Sequence, residues 1–166
     1  MALPFAQPVP LVQLLSNPYV LQAPPYQRSF AWTEEEAGRL LDDIAAAMDE
    51  GGESDYFLGA MLFTEAEVSA LRLATRPLLR TPRTLEIVDG LQRLTTLTIL
   101  FSLLRDIDLD EGERPNERLL AALGNGAGAS GKPRVELRGS DEVFFKATVR
   151  RPGATRSQPD EEGLSP

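Results

Sequence analysis

Glu86-Ile87-Val88-Asp89-Gly90-Leu91-Gln92-Arg93-Leu94-Thr95-Thr96 decides the fold. Leu85 to Val88 is a short apolar run suited to a buried strand, and Asp89-Gly90 breaks it abruptly. Helical spacing follows at once: Leu94, Leu97, Leu100, Phe101 and Leu104 share a wide apolar face, predicting a helix from about Gln92 to Arg105. A strand that turns on glycine straight into a helix leaves backbone N–H groups free at the helix start, a ready anion site. Gly90 lets a ligand approach the backbone without a Cβ in the way. Arg93 brings a planar cation suited to phosphate. Asp89 can orient Arg93 or hold Mg²⁺, Gln92 can position a water or a base, and Thr95 one turn on joins the phosphate-binding set. The competing reading makes Asp89 an ordinary helix cap. It leaves unexplained why Gln92-Arg93 occupy a first turn where a cation is disfavoured.

Upstream, Tyr19-Val20-Leu21 reads as a strand entering Pro24-Pro25. In Pro25-Tyr26-Gln27-Arg28-Ser29-Phe30-Ala31-Trp32 an extended chain would place Tyr26, Arg28, Phe30 and Trp32 on one face. Arg28 on that aromatic face needs a partner, either an anionic ligand or Asp42 or Asp43. Thr33 and Glu36 form a capping box for a helix carrying Ala37, Leu40, Leu41, Ile44 and Met48, closed by Gly51-Gly52. Tyr56 to Phe63 is almost wholly apolar and predicts a strand buried on both faces. Downstream, Pro115 to Leu123 suggests a helix, Val135 to Leu137 a short strand, and Asp141 to Val149 a short helix. Gly126 to Lys132 imitates both dinucleotide- and phosphate-binding glycine motifs. A helical stretch precedes it, and Pro133 stands where a Ser or Thr is required, so it reads as a linker.

The 166 residues contain no cysteine and no histidine, which excludes disulfides, thiolate sites, histidine-dependent hydrolases and His-Asn-His nucleases. Net charge is −8, unfavourable for indiscriminate DNA binding. Yet Arg72, Arg76, Arg80 and Arg83 form a stripe free of acids over residues 68–84, and residues 132–156 are also basic. No apolar stretch is long enough to span a bilayer and no secretory signal opens the chain, so a cytoplasmic protein without membrane contact is expected.

Tyr26–Trp32, the capped helix ending Leu40-Leu41-Asp42-Asp43-Ile44, Tyr56–Phe63 and Glu86–Leu100 occur in that order over residues 19–104. This ordered set resembles the N-terminal domain family of GmrSD-type, modification-dependent (type IV) restriction systems, which is similar in fold to ParB and sulfiredoxin. The family's Asp-Gly-Gln-Gln-Arg element is matched at Asp89, Gly90, Gln92 and Arg93, with Leu91 replacing the first glutamine. The resemblance implies a nucleotide-binding domain, an NTPase in some members, that gates a nuclease domain carrying the histidine-dependent site. Cleavage would then lie outside this histidine-free chain.

Together these readings predict an α+β fold, a small mixed sheet flanked by helices. They predict a nucleotide-binding domain over residues 1–150, a disordered tail over 151–166, and a chain that is the N-terminal piece of a longer protein. NTP and Mg²⁺ are the expected cofactors. Nucleotide, DNA through the full-length protein, and a C-terminal nuclease domain or partner subunit are the expected partners. Asp89 and Gln92 would handle the chemistry and Asp89 the metal; Gly90, Arg93, Arg28, Gln27 and Thr95 would hold the phosphates. The alternative is a non-catalytic module that senses modified DNA through Tyr26, Trp32 and the arginine stripe.

Overall fold

The computed structural model describes residues 6–15, 19–49, 55–65, 83–124 and 132–156. Four strands form one mixed sheet: β1 (Tyr19–Gln22), β2 (Leu62–Glu65), β3 (Arg83–Asp89) and β4 (Val135–Glu136), in the order β2-β3-β1-β4. β1 runs parallel to β3, with Leu21 opposite Leu85, and parallel to β4, with Leu21 opposite Val135. β2 pairs antiparallel to β3, with a register irregularity between Leu62 and Phe63. Helices are α1 (Leu11–Leu14), α2 (Glu34–Asp49), α3 (Leu91–Asp110), α4 (Glu117–Leu123) and α5 (Gly139–Phe145). α5 continues through a wider π turn (Lys146–Arg150), and a 3₁₀ turn follows at Ala154–Arg156. The α+β class with a small mixed sheet is as expected. No helix of the described residues is long and apolar enough to cross a membrane.

The capping box at the start of α2 forms through the Glu36 side chain, which accepts the Thr33 N–H at 2.7 Å and the Thr33 hydroxyl at 2.9 Å. The Thr33 backbone and hydroxyl bonds hold the Glu36 carboxyl below its ordinary value. Leu15, Leu21, Ile87, Leu91, Leu94, Val135, Leu137, Phe145 and Val149 make the core, joining the inner strands to α3 and α5. Each fully buried leucine or phenylalanine here stabilises the fold by about 1.5–3 kcal/mol.

Four expectations are corrected. Tyr56 to Phe63 is not a doubly buried strand: β2 begins only at Leu62, lies at the sheet edge, and Phe57 is 79% exposed. The physical reason lies at Arg93, whose guanidinium takes the carbonyls of Leu58 and Ala60 that a neighbouring strand would otherwise receive. The segment from Pro25 to Trp32 is a turn and loop, not an extended core strand, and Tyr26 is 70% exposed. α3 is longer than expected and its far half buries polar groups: Ser102, Arg105 and Asp106 are inside while Leu103 and Leu104 face outward.

The fourth concerns the tail. Residues 151–156 are structured, because Arg105 donates to the carbonyls of Val149, Arg150 and Arg151 while Asp106 accepts from the N–H groups of Gly153 and Thr155 and from the Thr155 hydroxyl. Asp106 also pairs with Arg105 at 2.7 Å. Burial pushes the Asp106 carboxyl up, but these bonds outweigh it and bring it down to about 2. This polar knot, invisible to hydrophobic periodicity, fastens the chain's last described turn to α3. Residues 157–166, the Gly51-Gly52 stop and the glycine-rich linker over 126–131 lie outside the described residues.

Candidate functional site

Because β4, β1 and β3 are mutually parallel in that order, their carboxyl ends share one edge of the sheet. The chain leaving each of them lines a single cleft of about 190 Å³. Ala23, Pro24, Pro25, Gln27, Arg28 and Ser29 follow β1; Leu91 follows β3; Leu137 to Asp141 follow β4. In open sheets of parallel strands, a crevice at the carboxyl ends is where ligands characteristically bind.

The walls are tied by polar side chains. Gln27 donates its Nε2 to the carbonyls of Ile87 and Val88, both at 3.1 Å, stitching the turn after β1 to the end of β3. Gln92 accepts the N–H groups of Ala31 (2.8 Å) and Trp32 (3.2 Å) at Oε1 and donates Nε2 to the Ser29 carbonyl. One carboxamide in the first turn of α3 thereby holds residues 29–32 from both sides. Asp141 accepts the Phe30 N–H at 2.8 Å, fixing the same loop to α5.

Gly90 is the α3 N-cap, with φ at 103° and no side-chain cap bond. The Asp89 carboxylate therefore does not cap α3; it is 71% exposed and stands 3.6 Å from Arg93. The Arg93 guanidinium donates to Leu58 (2.9 Å) and Ala60 (2.6 Å) carbonyls. It braces the 55–61 loop and is not among the residues lining the cleft.

Of the residues singled out from sequence, the structure brings Gln27 and Arg28 into the cleft. Gly90 lies directly behind its Leu91 wall. Asp89, Gln92 and Arg93 are not among its lining residues. Thr95 is a correction: it has no exposed surface, so the second turn of α3 turns this side chain into the interior, away from any phosphate in the cleft. Arg28 pairs with neither Asp42 nor Asp43; it is exposed and makes no hydrogen bond or ion pair among the described residues. Trp32 is half-buried beside Gln92. Arg72, Arg76 and Arg80 lie outside the described residues. Arg83 is placed in β3 opposite Tyr19, and its side chain also lies outside the description.

Two cleft residues escaped sequence reasoning, Arg138 and Asp141. A signal was present. Glu136-Leu137-Arg138-Gly139 repeats the strand–glycine–helix transition of Val88-Asp89-Gly90, with Gly139 also at positive φ. No group of three or more Asp or Glu side chains suited to a metal ion occurs among the described residues.

No curated protein matches the chain. The family model described as GmrSD restriction endonuclease, N-terminal domain, matches residues 11–162. That match takes in the four described strands, the five described helices and every wall of the cleft, so the chain belongs to the GmrSD N-terminal domain family and is a module of a restriction system.

Proposed function

We propose that this domain is a nucleotide-binding regulatory module that controls a nuclease domain elsewhere in a modification-dependent restriction system. The observation that carries the reading is the cleft itself: three parallel strands deliver their carboxyl ends, a glycine-capped helix start and Arg28 to one concavity. On a chain of net charge −8, an exposed cleft arginine that makes no hydrogen bond or ion pair among the described residues, with Glu36 the acid that feels its charge, leaves its donors open to a ligand's negative charge.

Mg²⁺ would be a passenger on the phosphates. Such an ion is commonly held by one or two carboxylates plus phosphate oxygens, and Asp89 offers one carboxylate, already 3.6 Å from Arg93. Asp89 is exposed and does not line the cleft, so it would be at most a single ligand to such an ion. Gln92 contributes by fixing the cleft's 29–32 wall, since both ends of its carboxamide are engaged there. Any hydrolysis would rest on positioning and electrostatics, as in phosphoryl transfer generally.

The test is a thermal-shift panel of the four NTPs with Mg²⁺. Ligand at 100 times its Kd raises stability by about 2.7 kcal/mol. A parent protein unmoved by every nucleotide at millimolar concentration overturns the reading.

Exposure of Tyr26 (70%), two residues before Arg28, supports a second reading in which this segment stacks on a DNA base. Salt separates the two. Contacts along a duplex give affinity that falls steeply with salt, whereas a mononucleotide cleft responds weakly.

A further inference from the structure

We infer that Arg28 and Arg138 are the two phosphate-gripping side chains of this cleft, and that its ligand carries a polyphosphate. This deepens the nucleotide reading and rests on it only for the nucleoside half of the ligand. Arg28 comes from the turn after β1 and Arg138 from the segment after β4, so the two approach one concavity from different strands.

Both arginines are exposed, and neither guanidinium has all its donors engaged among the described residues. Arg28 makes no hydrogen bond or ion pair among the described residues. Arg138 donates Nε to the Ala23 carbonyl, and its two terminal nitrogens have no partner there. Its tether is informative. Ala23 is itself a wall residue, so fixing Nε orients the guanidinium plane while leaving the forked end, the part that matches phosphate oxygens, free to donate.

Elsewhere Arg105 is engaged by Asp106 and the carbonyls of residues 149–151, and both terminal nitrogens of Arg150 by Glu142 and Val135. Among the residues lining the cleft the acid is Asp141, whose Oδ2 accepts the Phe30 N–H, and outside the lining Glu36 feels the Arg28 charge. Arg93 is relieved of direct phosphate contact, since its guanidinium is spent on the Leu58 and Ala60 carbonyls of the 55–61 loop.

Calorimetry on the whole chain tests this with Mg-ATP, Mg-GTP, Mg-CTP and Mg-UTP, and separately with sodium tripolyphosphate alone. Arg28→Ala and Arg138→Ala should each weaken binding about tenfold or more, the loss expected for a charge-assisted contact, while Arg114→Ala, exposed and outside the cleft, leaves it unchanged. If Arg138→Ala fails to fold, Arg138→Gln keeps a donor for Ala23 without the charge and should show the same loss. Parent-like affinity for nucleotide in both position-138 variants overturns the inference and leaves the nucleotide reading standing. Tripolyphosphate binding that depends on both arginines, in a parent that ignores all four nucleotides, overturns the nucleotide reading and sustains the pair. A parent that binds neither probe overturns both.

Discussion

Arg93 and Gly59 occupy adjoining space so closely that a Cβ at position 59 would overlap Nη1 of the arginine. Gly59 also has φ at 93°, a left-handed conformation that costs other residues about 1–2 kcal/mol. Gly59→Ala should therefore lower stability by about 2–3 kcal/mol, combining backbone strain with displaced Arg93 hydrogen bonds. A double-mutant cycle checks the cause. Arg93→Ala should cost less in the Gly59→Ala background than in the parent, and purely additive losses would refute the coupling.

Gln92 governs a loop it never follows in sequence. Its carboxamide makes three hydrogen bonds to the backbone of Ser29, Ala31 and Trp32. Gln92→Ala should speed amide hydrogen exchange at Ala31 and Trp32 and shift the emission of Trp32, the single tryptophan. The stability loss should be about 1–3 kcal/mol. Unchanged exchange at both amides would show that Asp141 alone holds the loop.

Asp106 should set the acid limit of stability. Its carboxyl sits at about 2 in the folded chain, below its ordinary 3.8. A carboxyl depressed by folding contributes stability that is present above the unfolded value and lost as pH falls through the folded one. Unfolding free energy should thus decline between about pH 4 and pH 2, with this group accounting for on the order of 2 kcal/mol. Asp106→Asn should flatten that decline. It should also cost about 3–5 kcal/mol near neutrality, because Arg105 is left buried without its counter-charge. Denaturant titrations at a series of pH values measure both effects.

Gly90→Ala tests the strand-to-helix joint. A Cβ there would stand 2.8 Å from Met61 Cγ, and φ is 103°. Replacement should cost about 1–3 kcal/mol in thermal or denaturant unfolding. Met61→Ala in the same chain should recover the steric share and leave the backbone share. Full recovery would show that the left-handed backbone carries no cost.

How far the sequence could be read depended on the range of the interactions. The strand at Leu85–Val88, the glycine joint and the start of α3 are local, and each follows from the conformational preferences of its own residues. Tyr56 to Phe63 misled because apolar content signals a buried strand only where a neighbour takes its backbone groups. Here a side chain 33 to 35 residues away takes them. Arg105 and Asp106 misled for the same reason: their partners in residues 149–155 supply the hydrogen bonds that make burial of charge tolerable.

By itself the sequence determined the α+β class, the helix after Gly90 and the family, because local propensity, capping and an ordered run of motifs survive without knowledge of contacts. Only the tertiary structure decided which polar groups face the cleft. Parallel pairing of β4, β1 and β3 draws Arg28 and Arg138, 110 positions apart in the chain, to one edge of the sheet. It also turns Arg93 and Gln92 to backbone, since a side chain's partner is fixed by strand order and register, which no single segment encodes.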